Sequence, residues 1–203
     1  LKELLPGCEL AWDVPYQGQF LPEDTKELTI STLSEEDLVA LVDKAHALGI
    51  RVMLDAVFNH SGTQFPQWQD VVENGPESPY WDWFFVQQWP LPKLIKGSKD
   101  KFFSFSFTGL MPKLNTNNPE VRKFCIDLCK KWITQWDIDG IRFDAADCLT
   151  DDFIRRIHTL TRSIRSDFWL IGEIIHGQYN HWAIPEMFDC VTNYQCYKGI
   201  YSS

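Results

Sequence analysis

Two apolar runs, each ending in a carboxylate, constrain this chain more than any other feature. GIRFDAAD (140–147) delivers Asp144 from a buried-strand pattern, and LIGEIIH (170–176) does the same for Glu173. Between them, 151–165 has helical spacing. Strand, helix and strand within about thirty residues make one βαβ unit. The two strands of such a unit are parallel. Both acids therefore come to the same edge of one sheet.

The alternation extends upstream. Over 35–48, Leu38, Leu41, Val42, Ala45 and Leu48 form an apolar stripe at helical spacing. Ser34 stands in the N-cap place with Asp37 three positions on, a capping box, and Gly49 stops the helix. The apolar, β-branched run 50–58 follows, carrying Asp55 and ending at Asn59 and His60. Further on, Pro119 opens a helix over 120–136 with Val121, Phe124, Cys125, Leu128, Trp132 and Ile133 inward. A further short strand is expected within 187–194. Strands alternating with helices predict an α/β fold with a parallel sheet and helices outside it. A closed (β/α)8 barrel takes about 250 residues. The expectation is therefore a partial TIM barrel, a fragment of a longer repeat. The domain plan reads 1–33 as an atypical lead-in, 34–60 as barrel, 61–110 as an inserted loop-rich subdomain, and 111–203 as barrel continuing to a truncated C-terminus.

The inserted segment is rich in Pro, Gly, Ser and aromatics, and is too long for an ordinary βα loop. Loops of this length carry function or form a small subdomain. Its aromatic cluster, 80–85 with Trp89, admits two readings: a platform that stacks on sugar rings, or a small core of the segment's own.

Composition excludes several classes. Hydrophobic residues make up 44%, ample for a core. A net charge of −9 disfavours nucleic acid, whose phosphates need Lys and Arg. No apolar run approaches the roughly 18 residues of a membrane span, and no signal peptide is visible. The six cysteines include no CxxC pair and are expected to be reduced. Cys125 and Cys129 share a helix face and suit burial. Reduced cysteines point to the cytoplasm, with secretion left open. No HxxxH or HxH spacing marks a metal site. No cofactor is implied, and calcium is left open. His46 and His158 are expected on helix surfaces without a role.

Positions i and i+2 of a strand share a face, so Arg142 stands beside Asp144. Its guanidinium is expected to keep Asp144 ionised, as a nucleophile requires. The apolar neighbours of Glu173 are expected to raise its pKa, as a general acid requires. Two such carboxylates on neighbouring strand tips are the equipment of a retaining glycosidase, which sets them about 5–5.5 Å apart. Asp55, inside its apolar run, is expected to point into the barrel mouth with Arg142 as partner. His60 is suited to hydrogen bonding a sugar hydroxyl, and His176 follows the Glu173 strand closely enough to line the site.

Four stretches carry a resemblance. DAVFNH (55–60), MPKLN (111–115), GIRFDAA (140–146) and GEI (172–174) are similar, in order, to signature stretches of the α-amylase family of glycoside hydrolases. The MPKLN form and FDCVTNY (188–194) resemble the neopullulanase, cyclomaltodextrinase and maltogenic amylase branch. The resemblance implies a catalytic (β/α)8 barrel with a small domain after its third strand. It implies Asp144 as nucleophile and Glu173 as general acid and base, with Arg142 orienting Asp144. By the same likeness His60 binds the sugar on the non-reducing side of the cut, and Asp55 and Asn59 shape that pocket. The implied partner is an α-1,4-glucan: a maltooligosaccharide, a cyclodextrin or pullulan. The oligomeric state is unassigned. The family's third acid lies in an Asn-His-Asp stretch, and the 203 residues contain none. Asp147 and Cys148 stand where this branch usually has Asn-Glu, and Ile175 where it often has an aromatic. The chain by itself is therefore expected to be inactive or nearly so. The alternative is a non-catalytic amylase-like protein for binding or assembly, which the retained Arg142, Asp144 and Glu173 oppose.

Overall fold

The computed structural model describes residues 34–91, 101–107 and 109–196. The expected lead-in 1–33 and the last seven residues lie outside them. Helices α1 (Glu35–Ala47), α2 (Pro66–Asn74), α3 (Pro119–Gln135) and α4 (Asp151–Ile164) and strands β1 (Met53–Ala56), β2 (Gly140–Phe143), β3 (Trp169–Gly172) and β4 (Cys190–Val191) follow along the chain in the order α1-β1-α2-α3-β2-α4-β3-β4. The four strands form one parallel sheet in the order β1-β2-β3-β4. Chain order and spatial order coincide, as in successive βα units of a barrel wall.

Helices α1 and α3 start at side-chain caps. Ser34 and Asp37 make the reciprocal capping box of α1. The Asn118 side chain accepts from Glu120 N–H at 2.8 Å, with Pro119 in the first turn of α3. The buried residues of α3 are Val121, Cys125, Cys129 and Ile133, a stripe four residues apart. Those of α4 are Phe153, Ile154, Ile157 and Thr161. These stripes cover one face of the sheet, where Ala56, Ile141, Phe143 and Leu170 are also buried. Phe58 joins the layers, with its ring 5.9 Å from Trp132 of α3, 5.8 Å from Phe143 of β2 and 6.2 Å from Phe153 of α4. Burying each large apolar side chain here contributes about 1.5–3 kcal/mol. The alternate positions Asp55, Arg142 and Ile171 face the other way, as a period of two requires.

The described residues of the inserted segment hold more regular structure than a loop. They contain α2, a helix the Pro- and Gly-rich composition concealed. Trp68 of α2 is buried against Phe84 and Phe102, with centroids 4.9 and 4.7 Å apart. Trp83 packs on Tyr80 at 5.1 Å and on Phe124 of α3 at 5.5 Å, and its indole N–H donates to Glu120 at 3.0 Å. Much of the aromatic cluster thus builds a local core and docks the segment on α3, while Phe85 and Trp89 stay exposed.

At the N-terminal edge of the sheet, Asp139 ties three units together. It accepts from Val52 N–H at 2.7 Å, His46 Nε2 at 2.8 Å and Arg165 Nη1 at 3.5 Å. His46, expected on a helix surface without a role, therefore anchors α1 to the turn before β2.

Candidate active site

The opposite, C-terminal edge gathers the acids. Asp55 of β1 is in register with Arg142 of β2. Arg142 Nη1 donates to Asp55 Oδ1 and Oδ2, both at 2.8 Å, and to Asp144 Oδ1 at 3.0 Å. Its Nη2 lies 2.9 Å from Glu173 Oε1. One guanidinium joins three carboxylates delivered by three adjacent strands. The planar fork of arginine suits this, since a lysine ammonium offers a single point of charge.

The backbone fixes the strand tips. Asp144 N–H donates to Ala56 C=O at 3.1 Å, Glu173 N–H to Phe143 C=O at 2.9 Å, and Ala146 N–H to Glu173 C=O at 2.9 Å. The ladder thus runs past the last strand residues and holds both acids. Ala145 adopts φ 45°, ψ 46°, the left-handed region, at a cost of order 1–3 kcal/mol for a non-glycine residue. With the chain so turned, Ala145 N–H donates to Glu173 Oε2 at 3.0 Å. Gly172, next to Glu173, admits the Phe188 ring; a Cβ there would meet it at 2.6 Å.

The electrostatics run against the sequence expectation. Burial raises the Asp144 carboxyl, and the charge of Glu173 adds to the rise; Arg142 opposes both, and the net direction is upward. Burial also disfavours the Glu173 carboxylate. Yet Ala145 N–H, the Tyr194 hydroxyl at 2.8 Å and Arg142 together outweigh it, and Glu173 lies below the ordinary range. The reason is the donor count. Asp144 draws on a shared arginine, whereas Glu173 has two further donors that no strand pattern displays.

His60 and Asn59 are buried beyond the end of β1. His60 Nε2 lies 3.9 Å from Asp144 Oδ2, and the imidazole is stacked on Phe105 at 4.6 Å and 8°. Burial pushes its pKa down, Asp144 opposes this and Lys113 assists it. Asn59 Nδ2 is 3.3 Å from His60 Nδ1, and the Lys113 ammonium donates to Asn59 Oδ1. His176 is not brought into this cluster. It is exposed on the loop beyond β3, where its backbone N–H donates to Asp147 Oδ2 at 3.4 Å. A loop departs from the strand axis after Ile174, so proximity in sequence does not carry over.

Asp55, Asn59, His60, Arg142, Asp144 and Glu173 are thus assembled from the residues singled out in the sequence. Tyr194, Lys113, Phe105 and Ala145 N–H were missed. Tyr194 follows the short strand β4 and was accessible by the strand-tip logic that found Glu173. Lys113 lies inside the MPKLN stretch. Among the described residues no group of three or more His, Cys, Asp or Glu side chains is placed to hold a metal ion.

The profile of the alpha amylase catalytic domain matches residues 33–200. The chain belongs to that family. It is 41% identical over 161 residues to the maltogenic alpha-amylase of Bacillus acidopullulyticus, covering 79% of this chain and 27% of that one. It is 42% identical over 154 residues to the intracellular maltogenic amylase of Bacillus subtilis (strain 168), covering 76% and 25%. The solved type III pullulan hydrolase from Thermococcus kodakarensis superposes with a TM-score of 0.73 at 37% identity, covering 79% of this chain and 28% of that one. The chain therefore spans about a quarter of the length of the curated relatives it matches. Its four parallel strands and their helices are part of a TIM barrel.

Proposed function

We propose that the protein is a retaining hydrolase of α-1,4-glucans, with maltooligosaccharides, cyclodextrins and pullulan as its substrate class. The observation that carries this reading is the single Arg142 guanidinium bridging Asp144 and Glu173 at the tips of adjacent strands, in a chain of the alpha amylase family. Asp144 attacks the anomeric carbon and forms a covalent glucosyl-enzyme. Glu173 protonates the leaving glycosidic oxygen and then takes a proton from the incoming water. Arg142 orients both. Asp55, Asn59 and His60 shape the pocket for the sugar on the non-reducing side.

Asp144 and Glu173 share Arg142 and titrate as a pair. In the free site burial and the Glu173 charge push Asp144 up, while the donors around Glu173 hold that carboxyl down. Substrate acts the opposite way on each. Positive charge building at the sugar ring favours ionised Asp144, and a sugar that excludes water from Glu173 favours its protonated form. The Tyr194 hydroxyl serves Glu173 in both states, donating to the carboxylate or accepting from the acid.

The 203-residue chain by itself is inactive in this reading, because three acids that act as a unit lose orders of magnitude when one is removed. A cytoplasmic location fits the free state of the five described cysteines and the printed name of the Bacillus subtilis relative. The test is proton NMR of maltotriose cleavage by the protein of the full reading frame. The α-anomer should appear first at the new reducing end and then mutarotate. Appearance of the β-anomer first, or no cleavage of any α-glucan, overturns the reading.

A further inference from the structure

We propose that Lys113 is a positioning residue: acting through Asn59, it fixes His60 in the tautomer that carries its proton on Nε2, facing Asp144. This rests on the glucan-hydrolase reading for its consequence, though not for its geometry.

The segment carrying Lys113 is paired with the end of β1. His60 and Lys113 form an antiparallel bridge, Leu114 N–H donates to Asn59 C=O at 3.0 Å, and Ser61 N–H donates to Pro112 C=O at 3.0 Å. That ladder brings the half-buried Lys113 side chain across Asn59. The ammonium donates to Asn59 Oδ1 and lies 3.5 Å from the Cys148 carbonyl oxygen, which it also reaches as donor.

The directions of these bonds follow one from another. An ammonium has three donors and no acceptor. It therefore requires the oxygen end of the Asn59 amide; the flipped amide would set NH2 against NH3+. With Oδ1 so committed, Nδ2 is the end that meets His60 Nδ1, at 3.3 Å. An amide NH2 only donates, so Nδ1 must accept. The proton of the neutral ring then sits on Nε2, the nitrogen 3.9 Å from Asp144 Oδ2. Asn59 is 0% exposed and His60 7%, and the Phe105 ring lies flat on the imidazole. Neither side chain has an easy route to a second orientation.

The consequence is a permanent N–H donor aimed at the nucleophile and at any sugar hydroxyl placed between the two groups. It also keeps His60 uncharged. Protonating Nδ1 would set that proton against the Asn59 NH2, which adds to the burial and to the Lys113 charge that already lower the His60 pKa. Without the ammonium nothing selects the oxygen end of the amide for that position, and the isosteric flipped amide becomes equally acceptable. Its oxygen would then face Nδ1 and favour a proton there, making Nε2 an acceptor or the ring a cation.

The test uses the protein of the full reading frame, labelled with nitrogen-15 at histidine. The His60 signals are identified by their loss in His60→Gln. The expected spectrum near pH 7 shows a pyrrole-type Nε2 and a pyridine-type Nδ1. Lys113→Met should mix the tautomers and move the His60 titration to higher pH. It should also lower kcat/KM on a maltooligosaccharide on the order of 10-fold, as the loss of about one hydrogen bond's worth of positioning would. Lys113→Arg retains a donor and should restore most of the wild-type tautomer pattern. If Lys113→Met does not fold, Lys113→Arg and the wild-type spectrum still decide the matter. A proton on Nδ1 in the wild type overturns the proposal, and so does a Lys113→Met spectrum and titration unchanged from wild type. If the wild type shows the expected tautomer but cleaves no glucan, the hydrolase reading fails and the positioning role stands.

Discussion

Replacing Arg142 by Met strikes the one cation that three carboxylates share. Arg142 lies 3.0 Å from Asp144 Oδ1 and 2.9 Å from Glu173 Oε1, with Asp55 on its other side. Hydrogen bonds to charged groups contribute about 1.5–3 kcal/mol each. The side chains of Asp144 and Glu173 are 24% and 13% exposed, so solvent screens these two bonds only in part. Asp55 is 55% exposed, and its share is discounted as a surface pair. Loss of the two inner bonds then amounts to about 3–6 kcal/mol of orientation and charge balance. Expressed wholly in the transition state, that is about 10²- to 10⁴-fold in kcat/KM. With the cation gone, both acids shift upward, because each meets the other's charge without compensation. The assay is kcat/KM on a maltooligosaccharide between pH 4 and 8, with urea unfolding of the same samples as a check on folding. Arg142→Met should lose at least about 10²-fold, and its pH profile should move to higher pH. Arg142→Lys should keep most of the stability but little of the rate, because a point charge cannot span two carboxylates. A folded Arg142→Met enzyme within threefold of wild type, with its profile unmoved, would refute the reasoning.

Three further outcomes follow from the same geometry. Asp144 has a raised folded-state pKa, so its ionisation opposes folding as pH rises through that value. Asp144→Asn should therefore gain stability relative to wild type from pH 4 to pH 7 in thermal melts; a gap that shrinks over this range sinks the idea. Tyr194→Phe removes a donor that helps hold the Glu173 pKa down. The alkaline limb of kcat/KM should move upward, and an unmoved limb shows that Tyr194 does not govern the proton. At the other edge of the sheet, burial disfavours the Asp139 carboxylate, but Val52 N–H, His46 and Arg165 overcome it and lower its pKa. Its contribution is present above the unfolded value of about 3.9 and is lost as pH falls through the folded one. Asp139→Asn should cost about 1–3 kcal/mol at pH 7 in urea unfolding and progressively less as pH falls below the unfolded value; equal costs at pH 7 and at pH 2 would contradict this.

The barrel wall was legible because its signals are local and periodic. The stripe of α1, its capping box, and the run–helix–run from Gly140 to Glu173 all sit within one window of sequence. The Asp55–Arg142 pair was legible for a related reason: parallel neighbours with a period of two must present such residues to one face. The inserted helix α2 was hidden. Phe65 gives it no side-chain cap, and its nine residues lie among Pro and Gly that read as loop. The direction in which each acid's pKa is shifted was hidden for a different reason. It depends on a left-handed Ala145 and on Tyr194, 21 residues beyond Glu173. Neither contact has a periodic trace. His46 was passed over because its partner Asp139 lies 93 positions away.

The central claim is that Asp144 is the nucleophile of a double displacement. The most direct measurement is mass spectrometry of peptic peptides after the full-length protein is held with a fluorinated glucosyl fluoride, which slows release of the covalent intermediate. A glucosyl adduct on the peptide containing Asp144, absent in Asp144→Asn, is the expected result. An adduct on Glu173 instead, or cleavage with no adduct and an inverted anomer, contradicts the account.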